Sequence, residues 1–359
     1  MWGEGMKFID LFAGAGFIRR GMEKAGHTCV GFVEWDKFAR RSYETIHDTK
    51  GEWTAHDITT VTDDAIRSLG RDYGPIQIIT GGFPCQAFSI AGSRGGFDDV
   101  RGTLFFEIAR FAAILRPKYL LLENVDGLRS HEEGRTLATI LNKLGELDYD
   151  VQAQVLNSKD FGVPQNRERI FFVCFNRDFG TESRPQIFPF GCSNEKTLDQ
   201  LIGGSQGNRV YGVGGVSVTL SSEGGGQGAK TGLYLINKNG DNIVFRGDTV
   251  NCIDANYFRG LDCHQARTGV LVGYKGPQDI SNTVRTGGRS SFESKHNWEI
   301  VNDGCRIRKL TPRECWRLQG ASNEVFNKAA AVNSDSQLYK QAGNGATENV
   351  IYEIARRLT

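Results

Sequence analysis

The sequence predicts an α/β fold: a mostly parallel sheet covered by helices, joined to a smaller glycine-rich region of short strands and irregular backbone. Three observations carry this. Near-continuous apolar runs alternate with helical stretches through the first half of the chain, as expected of parallel strands buried on both faces. From residue 203 to 288, 19 of 86 residues are glycine, and few helical periodicities survive. Helical character returns after residue 310.

The elements follow in order. Residues 7–12 read as a strand, 13–16 as a small-residue turn and 17–25 as a helix. A second strand at 28–33 precedes a helix at 36–46, and a third buried run spans 76–80. A helix at 104–115 leads to a strand at 119–123, with further strands at 151–157 and 169–175. Thr311-Pro312-Arg313-Glu314 offers an N-cap and first turn to a helix ending at Leu318. The amphipathic tail 348–358 is expected to pack back on the sheet.

In the glycine-rich region, Ser217–Leu220, Val250–Ile253 and Ser281–Val284 look alike. The first two are followed by Thr-Gly-apolar runs, at Thr231-Gly232-Leu233 and Thr268-Gly269-Val270. This pattern fits a weak internal repeat and fits unrelated glycine-rich hairpins equally well.

Composition narrows the function classes. With 43 basic and 42 acidic side chains the net charge is +1. That excludes a strongly basic coat but leaves room for a local basic groove. At 39% hydrophobic and 24% charged residues, the chain is not disordered as a whole. Its eight cysteines (29, 85, 174, 192, 252, 263, 305 and 315) form no C-x-x-C pair, which argues against a zinc ribbon. No metal site is expected. No secretory start and no run of 18 apolar residues is present. Free thiols, no membrane partner and a cytoplasmic, nucleoid-associated setting are the expectation.

Several motifs carry chemistry. Phe12-Ala13-Gly14-Ala15-Gly16 follows a strand and opens a helix, so backbone can approach a ligand at a helix N-terminus. Glu34 ends the second strand, where an acid can accept from ribose hydroxyls, and Trp35 beside it can stack on a purine. The competing reading is an exposed helix cap. Together the two motifs favour an adenosine-containing cofactor. No lysine stands in P-loop position, which disfavours a triphosphate.

Gly81-Gly82-Phe83-Pro84-Cys85-Gln86 follows the third strand. A cysteine there sits where α/β folds place chemistry, although cysteine is also a common core residue. Glu123-Asn124-Val125 ends another apolar strand. Partial desolvation of Glu123 would favour a protonated, hydrogen-bond-donating carboxyl. A thiolate paired with such an acid suits attack on an electron-poor ring. In Gln165-x-Arg167-x-Arg169 the alternate arginines are expected on one face of a strand, to meet an anion or carbonyl oxygen, or on a solvated edge.

In this order and spacing the motifs resemble the cytosine-C5 DNA methyltransferases of bacterial and phage type, over roughly residues 7–175 and 306–359. Arg308-Lys309-Leu310-Thr311-Pro312-Arg313-Glu314 and Gln341-x-Gly343-Asn344 add to the match. The resemblance implies a Rossmann-like, S-adenosylmethionine-dependent domain (1–185 and 328–359) and a target-recognition domain (186–327). It implies methyl transfer from S-adenosylmethionine to C5 of a cytosine flipped out of duplex DNA. Cys85 would attack C6, Glu123 would hold N3 and the exocyclic amine, and Arg167 would hydrogen-bond O2, with Arg169 completing the catalytic set. Phe12, Ala13, Gly14, Gly16, Glu34, Trp35, Asp57, Ile58, Pro84, Leu104 and Asn344 would line the cofactor pocket. One departure is Phe17, where many members of the family carry another glycine.

The segment from Ser89 to Asp99, with Arg94, would close on DNA. Between residues 186 and 305 the sequence has 11 basic and 11 acidic side chains. Arg209, Lys230, Arg246, Arg259, Arg267, Arg285 and Arg289 are the candidate DNA contacts there, since arginine reading guanine is the commonest specific contact. Partners implied are double-stranded DNA and a cognate restriction endonuclease, with a monomeric enzyme. The other readings are a tRNA cytosine-C5 methyltransferase, whose recognition region would be shorter, and a catalytically dead DNA-binding relic. A hydride-transferring Rossmann enzyme would explain only the first glycine turn.

Overall fold

The computed structural model describes residues 5–84, 104–180, 184–190 and 311–358, together with short strands between 200 and 309. By contacts the chain divides into two compact units. The first holds Met1–Leu156, Glu168–Gly191 and Ala346–Thr359; the second holds Asn157–Arg167 and Cys192–Gly345. These bounds differ from the functional division expected at 186–327, chiefly because 328–345 falls in the second unit.

In the first unit, strands β1 (Lys7–Leu11), β2 (Thr28–Val33), β3 (Trp53–Ala55), β4 (Ile78–Gly82), β5 (Tyr119–Val125), β6 (Tyr149–Asn157) and β8 (Glu168–Asn176) form one sheet. Its order is β3-β2-β1-β4-β5-β8-β6. The pairs from β3 through β5 are parallel, and β8 runs antiparallel to β5. The mostly parallel α/β architecture expected from the sequence is present.

The helices are α1 (Phe17–Lys24), α2 (Lys37–Ile46), α3 (Asp63–Asp72), α4 (Leu104–Leu115), α5 (Arg135–Glu146) and α9 (Glu348–Ala355). The strand interiors are apolar on both faces because helices cover them. Ile9, Leu11, Ile79, Leu120, Leu122 and Phe172 join Ile66 and Leu69 of α3, Ile108 and Phe111 of α4, and Ile140 and Leu144 of α5 in one buried cluster. Strand β3 and helices α3 and α5 were not among the elements expected from the sequence.

The tail does return to this unit: α9 packs on α1. Arg20 Nε donates to Glu348 Oε2 at 2.8 Å. His27 bridges the same region. Its Nδ1 accepts from the Met6 N–H, so its Nε2 carries the proton that faces the Ala355 carbonyl at 3.1 Å. Burial holds this imidazole below its usual pKa.

The second unit contains strands β7 (Gln165–Asn166), β9 (Gln200–Ile202), β10 (Val210–Tyr211), β11 (Leu233–Leu235), β12 (Val250–Asn251), β13 (Gly269–Leu271) and β14 (Ile307–Lys309). They form a sheet of order β14-β13-β11-β10-β9 and a separate β12–β7 pair. The two Thr-Gly-apolar runs noted in the sequence contribute β11 and β13, which pair in parallel with Leu233 opposite Gly269. Of the three look-alike segments themselves, only 250–251 lies within the described residues.

Helices α6 (Pro312–Leu318), α7 (Asn323–Ala330) and α8 (Asp335–Asn344) complete this unit. Thr311 and Glu314 form the reciprocal capping box expected at the start of α6, with Pro312 in its first turn. Among the described residues, no helix is long and apolar enough to cross a membrane. None of them forms a cluster of three or more His, Cys, Asp or Glu that could hold a metal ion.

The α1–α9 contact depends on a missing side chain. A Cβ placed at Gly21 would lie 2.5 Å from Ile351 Cβ and 2.9 Å from the Glu348 carbonyl oxygen. The Gly21→Val variant is therefore expected to lose about 1–3 kcal/mol of stability by overpacking, read as a lower urea midpoint. An unchanged midpoint would show that α9 can move away at no cost.

Candidate active site

The order of the first sheet reverses at β1. From β1 the chain builds outward to β2 and β3, then returns to place β4 on the other side. Ligands in such sheets bind outside the carboxyl ends of the strands at this switch point. The register fixes what meets there. Leu11 pairs with Gly81, and Gly82 pairs with Glu123. The turn that follows β1, the Phe83-Pro84 step that follows β4, and Glu123 on β5 therefore share one edge.

The turn after β1 needs backbone that most side chains resist. Phe12, Gly14 and Gly16 all have positive φ, at 57°, 57° and 87°. Phe12 accepts that strain while half-buried. The turn is closed by Gly16 N–H to Ala13 O at 2.9 Å and tied to β2 by Ala13 N–H to Val33 O at 3.0 Å. A Cβ at Gly14 would meet nothing within 4 Å, so this face of the turn is open. Phe17, which departs from the glycine common in the family it resembles, is buried as the first residue of α1.

Glu34 orders the neighbouring turn. Its Oε2 accepts from Gly14 N–H at 2.7 Å and its Oε1 from Asp36 N–H at 2.6 Å. These two amide bonds fix the carboxylate at the end of β2. Trp35 is 74% exposed, the most exposed of the large apolar side chains described. Asp57 follows β3. Its Oδ1 caps a short turn by accepting from Thr59 N–H at 2.9 Å and Thr59 Oγ1 at 2.7 Å, which leaves its second oxygen for a ligand. Ile58 is buried, Leu104 half-buried and Pro84 exposed. An open glycine turn, an anchored acid and an uncovered indole fit an adenosine-type cofactor.

A polar network lies beneath this edge, unannounced by any motif. Asp10 is fully buried on β1, accepting from Thr80 Oγ1 at 2.8 Å and from Tyr43 OH at 3.4 Å. Arg19 of α1 makes a bidentate pair with Glu52, both bonds 2.8 Å, and a further bond to Glu23 at 2.7 Å. Burial pushes the Asp10 carboxyl up to about 7, against the opposing pull of Thr80 and Arg19. Burial also lowers the His47 pKa, against the opposing pull of Glu23. A side chain at Gly16 would collide with the His47 imidazole and approach the Tyr43 ring, so the network supports the turn from below.

The described thiols are poor nucleophiles. Cys29, Cys174 and Cys315 are buried and form no disulfide. Burial pushes Cys29 up to about 12 and Cys174 higher still.

At the other end of the edge, Asn124 holds the approach to Pro84. Its Nδ2 donates to the Phe83 carbonyl at 2.9 Å, while its Oδ1 accepts from Val125 N–H at 2.8 Å. Glu123 lies opposite glycine for a reason: a Cβ at Gly82 would come within 3.2 Å of Glu123 Oε2. Arg169 Nε meets Glu123 Oε1 at 3.1 Å, with both side chains about nine-tenths buried.

Arg167 and Arg169 do not share one strand. The pairing breaks at Arg167, between β7 and β8, so the alternation expected from the sequence does not apply. Arg167 belongs to the second unit, where it is buried and donates to the carbonyls of Gly343 and Gly345 at 3.0 and 2.8 Å. Gln319 Nε2 donates to Ala342 O at 2.7 Å. These bonds satisfy carbonyls at the C-terminal end of α8, where a cation is also favoured by the helix dipole. Asn344 is the exposed last residue of α8.

Cys85, Ser89 and Arg94 lie outside the described residues, as do Arg209, Lys230, Arg246, Arg259, Arg267, Arg285 and Arg289.

Comparison with known proteins identifies the family. The family model for the C-5 cytosine-specific DNA methylases matches residues 6–359. The type II methyltransferase M.HhaI of Haemophilus parahaemolyticus is 40% identical over 65% of this chain and 79% of its own. M.HpaII of Haemophilus parainfluenzae is 35% identical over 99% of this chain and 89% of its own. An orphan methyltransferase, M.SPRI of Bacillus phage SPR, is 28% identical over 98% and 97%. Among solved structures, a Spodoptera frugiperda DNMT2 variant superposes with a TM-score of 0.61 at 16% identity, covering 98% of this chain and 99% of that one.

The Asp10 carboxyl gives a pH test of the buried network. Its native pKa lies above the ordinary 3.8, so the folded state keeps a proton that the unfolded chain releases. That contribution is fully present below about pH 4 and is lost as pH rises toward 7. Asp10→Asn removes the slope. The stability of the variant relative to the natural chain should therefore improve from pH 5 to pH 8 in urea titrations. Parallel profiles would contradict the buried, proton-holding Asp10.

Proposed function

The chain belongs to the C-5 cytosine-specific DNA methylase family, and from that premise we propose that it methylates C5 of a flipped-out cytosine at a specific sequence in duplex DNA, through a covalent bond between Cys85 and C6. The observation that carries the reading is the shared strand edge, where Glu123, paired with Arg169, stands directly opposite Gly82, the last residue of β4 before Phe83-Pro84-Cys85. The family uses S-adenosylmethionine as methyl donor, and bound at the switch point it supplies an electrophilic methyl group.

The protein's own groups do the rest. Cytosine C5 is a weak nucleophile. Addition of the Cys85 thiolate to C6 forms an S–C bond and moves the ring electrons onto C5 and N3. Glu123 supplies the proton to N3 and holds the exocyclic amine, so negative charge does not accumulate on the ring. Arg169, held against Glu123, is the arginine we assign to orienting that carboxyl and to the base O2, a role the sequence suggested for Arg167. Arg167 holds the 343–345 turn. Once C5 carries the methyl group, water acting as base takes the C5 proton, the N3 proton returns to Glu123, and the C6–S bond breaks to release the Cys85 thiolate and restore aromaticity. A free thiol has a pKa near 8.5, so a cationic or dipolar neighbour must favour the Cys85 thiolate.

On the cofactor side, Gly14 admits the ligand to the backbone, Gly16 closes the turn beside it, and Phe12, Ala13 and Trp35 offer apolar surface. Glu34 would take the ribose hydroxyls. Asp57 and Ile58 would meet the adenine edge, with Pro84 and Leu104 completing the pocket. We place sequence reading in 186–327, with Arg209, Arg246, Arg259, Arg285 and Arg289 as candidate contacts, and closure on DNA in the segment holding Ser89 and Arg94. Flipping the target costs a few kcal/mol of stacking and pairing. With balanced charge in this region, affinity would come from a few placed arginines and would fall with salt. The relatives include type II enzymes and a phage orphan enzyme, which supports modification within a restriction system or phage self-protection.

The test is transfer of tritiated methyl from S-adenosylmethionine to duplex DNA and to tRNA, followed by bisulfite sequencing. Label is expected in DNA cytosine at one sequence context. Cys85→Ala should abolish transfer, and Glu123→Gln should lower kcat by about a hundredfold or more. Label confined to tRNA, or full activity in Cys85→Ala, would overturn the reading.

A further inference from the structure

Helix α4 carries a side chain that no motif marks. Its apolar face is sealed into the sheet through Phe105, Ile108, Phe111 and Ala112. From that fixed base Arg110 reaches the turn after β3. Its Nη1 donates to the Val61 carbonyl and to Asp63 Oδ1, each at 2.8 Å, and its Nη2 to the Ile58 carbonyl at 3.2 Å. Glu107, one turn back on α4, accepts from Nε at 3.0 Å and from Nη2 at 2.6 Å. All three guanidinium nitrogens are therefore committed, and the planar fork sets direction as well as distance.

The turn held in this way is the one that presents Asp57. That residue caps it from the front with Oδ1, while Arg110 grips the Ile58 and Val61 carbonyls behind. Without the guanidinium, the Asp57 cap, the bonds from Thr60 to the Asp57 carbonyl and the buried Ile58 and Val61 side chains would remain, but the tie from α4 to the Ile58 and Val61 carbonyls would be lost. The turn could then tilt relative to α4, and with it the second carboxylate oxygen of Asp57.

We propose that Arg110, oriented by Glu107, is a positioning residue for the cofactor: it sets the Asp57–Val61 turn so that Asp57 can accept from the adenine amine. This rests on the reading of Asp57 as an adenine contact given above. Arg110 touches neither cofactor nor DNA in this account. It acts through backbone, so its loss should weaken cofactor binding while leaving DNA binding and the chemical step intact.

The experiment is calorimetric binding of S-adenosylhomocysteine to the full chain, with DNA affinity by filter binding and steady-state kinetics alongside. Arg110→Met should raise the Kd for S-adenosylhomocysteine by about fivefold to twentyfold and raise KM for S-adenosylmethionine in parallel. DNA affinity and kcat should stay within about twofold. Arg110→Lys, a point charge without the fork, should fall between, and it carries the test if the methionine variant does not fold. Asp57→Asn keeps the cap acceptor but replaces the other oxygen with a donor, and should itself raise Kd. Because Arg110 acts through Asp57, the double variant should bind only slightly more weakly than Asp57→Asn alone. A Kd unchanged in the Arg110 variants, or losses that simply add in the double variant, would overturn the proposal. An effect of Arg110→Met with none from Asp57→Asn would instead overturn the adenine reading of Asp57, and with it the route proposed for Arg110.

Discussion

Parallel pairing releases every strand of β3, β2, β1, β4 and β5 at the same edge, and the rest of the molecule is organised around that constraint. A parallel sheet must be covered on both faces, so its strands are mostly apolar and most of its polar business is forced to the strand ends. The glycine turn, Glu34, Asp57, the Phe83-Pro84 step and Glu123 are all products of the same geometry. Register then sets the pairs that matter: Leu11 with Gly81, and Gly82 with Glu123. Glycine at 82 is what lets the carboxylate lie beside the β4 end.

Most of the polar groups that enter this core are matched, with His47 Nε2 an exception among the described residues. Asp10 has Thr80 and Tyr43, Arg19 has Glu52 and Glu23, and Asn124 has the Phe83 carbonyl and the Val125 amide. An unmatched buried polar group would cost on the order of 1–3 kcal/mol, so these contacts fix one arrangement of the strand ends above competing ones. The same burial makes Cys29 and Cys174 chemically inert. A nucleophilic thiol requires the opposite environment, at the edge and near positive charge.

Much of this was legible in the sequence, and the exceptions have physical causes. The strand at 28–33 and the helix at 104–115 lie where the apolar patterns put them. The glycine turn was readable because few residues tolerate positive φ, and the α6 start because its capping box is local. Strand β3 is too short to show a period. Asp10, Arg19, Asn124 and Arg110 were silent because each has at least one partner distant in sequence, as far as 70 residues for Asp10 and Thr80. The paired arginines misled for a different reason. Alternation holds only along an unbroken strand, and the break at Arg167 sends one arginine to the α8 terminus and leaves the other with Glu123.

The central claim is that chemistry at this edge runs through a covalent bond to the thiol that follows Pro84. Its most direct test is incubation with S-adenosylmethionine and a target duplex carrying 5-fluorocytosine, whose fluorine blocks the final elimination. Peptide mapping by mass spectrometry should find the methylated base attached to Cys85 in a denaturant-stable adduct. Methylation of ordinary duplex without any adduct on the fluorinated one, or an adduct on a different residue, would contradict the account.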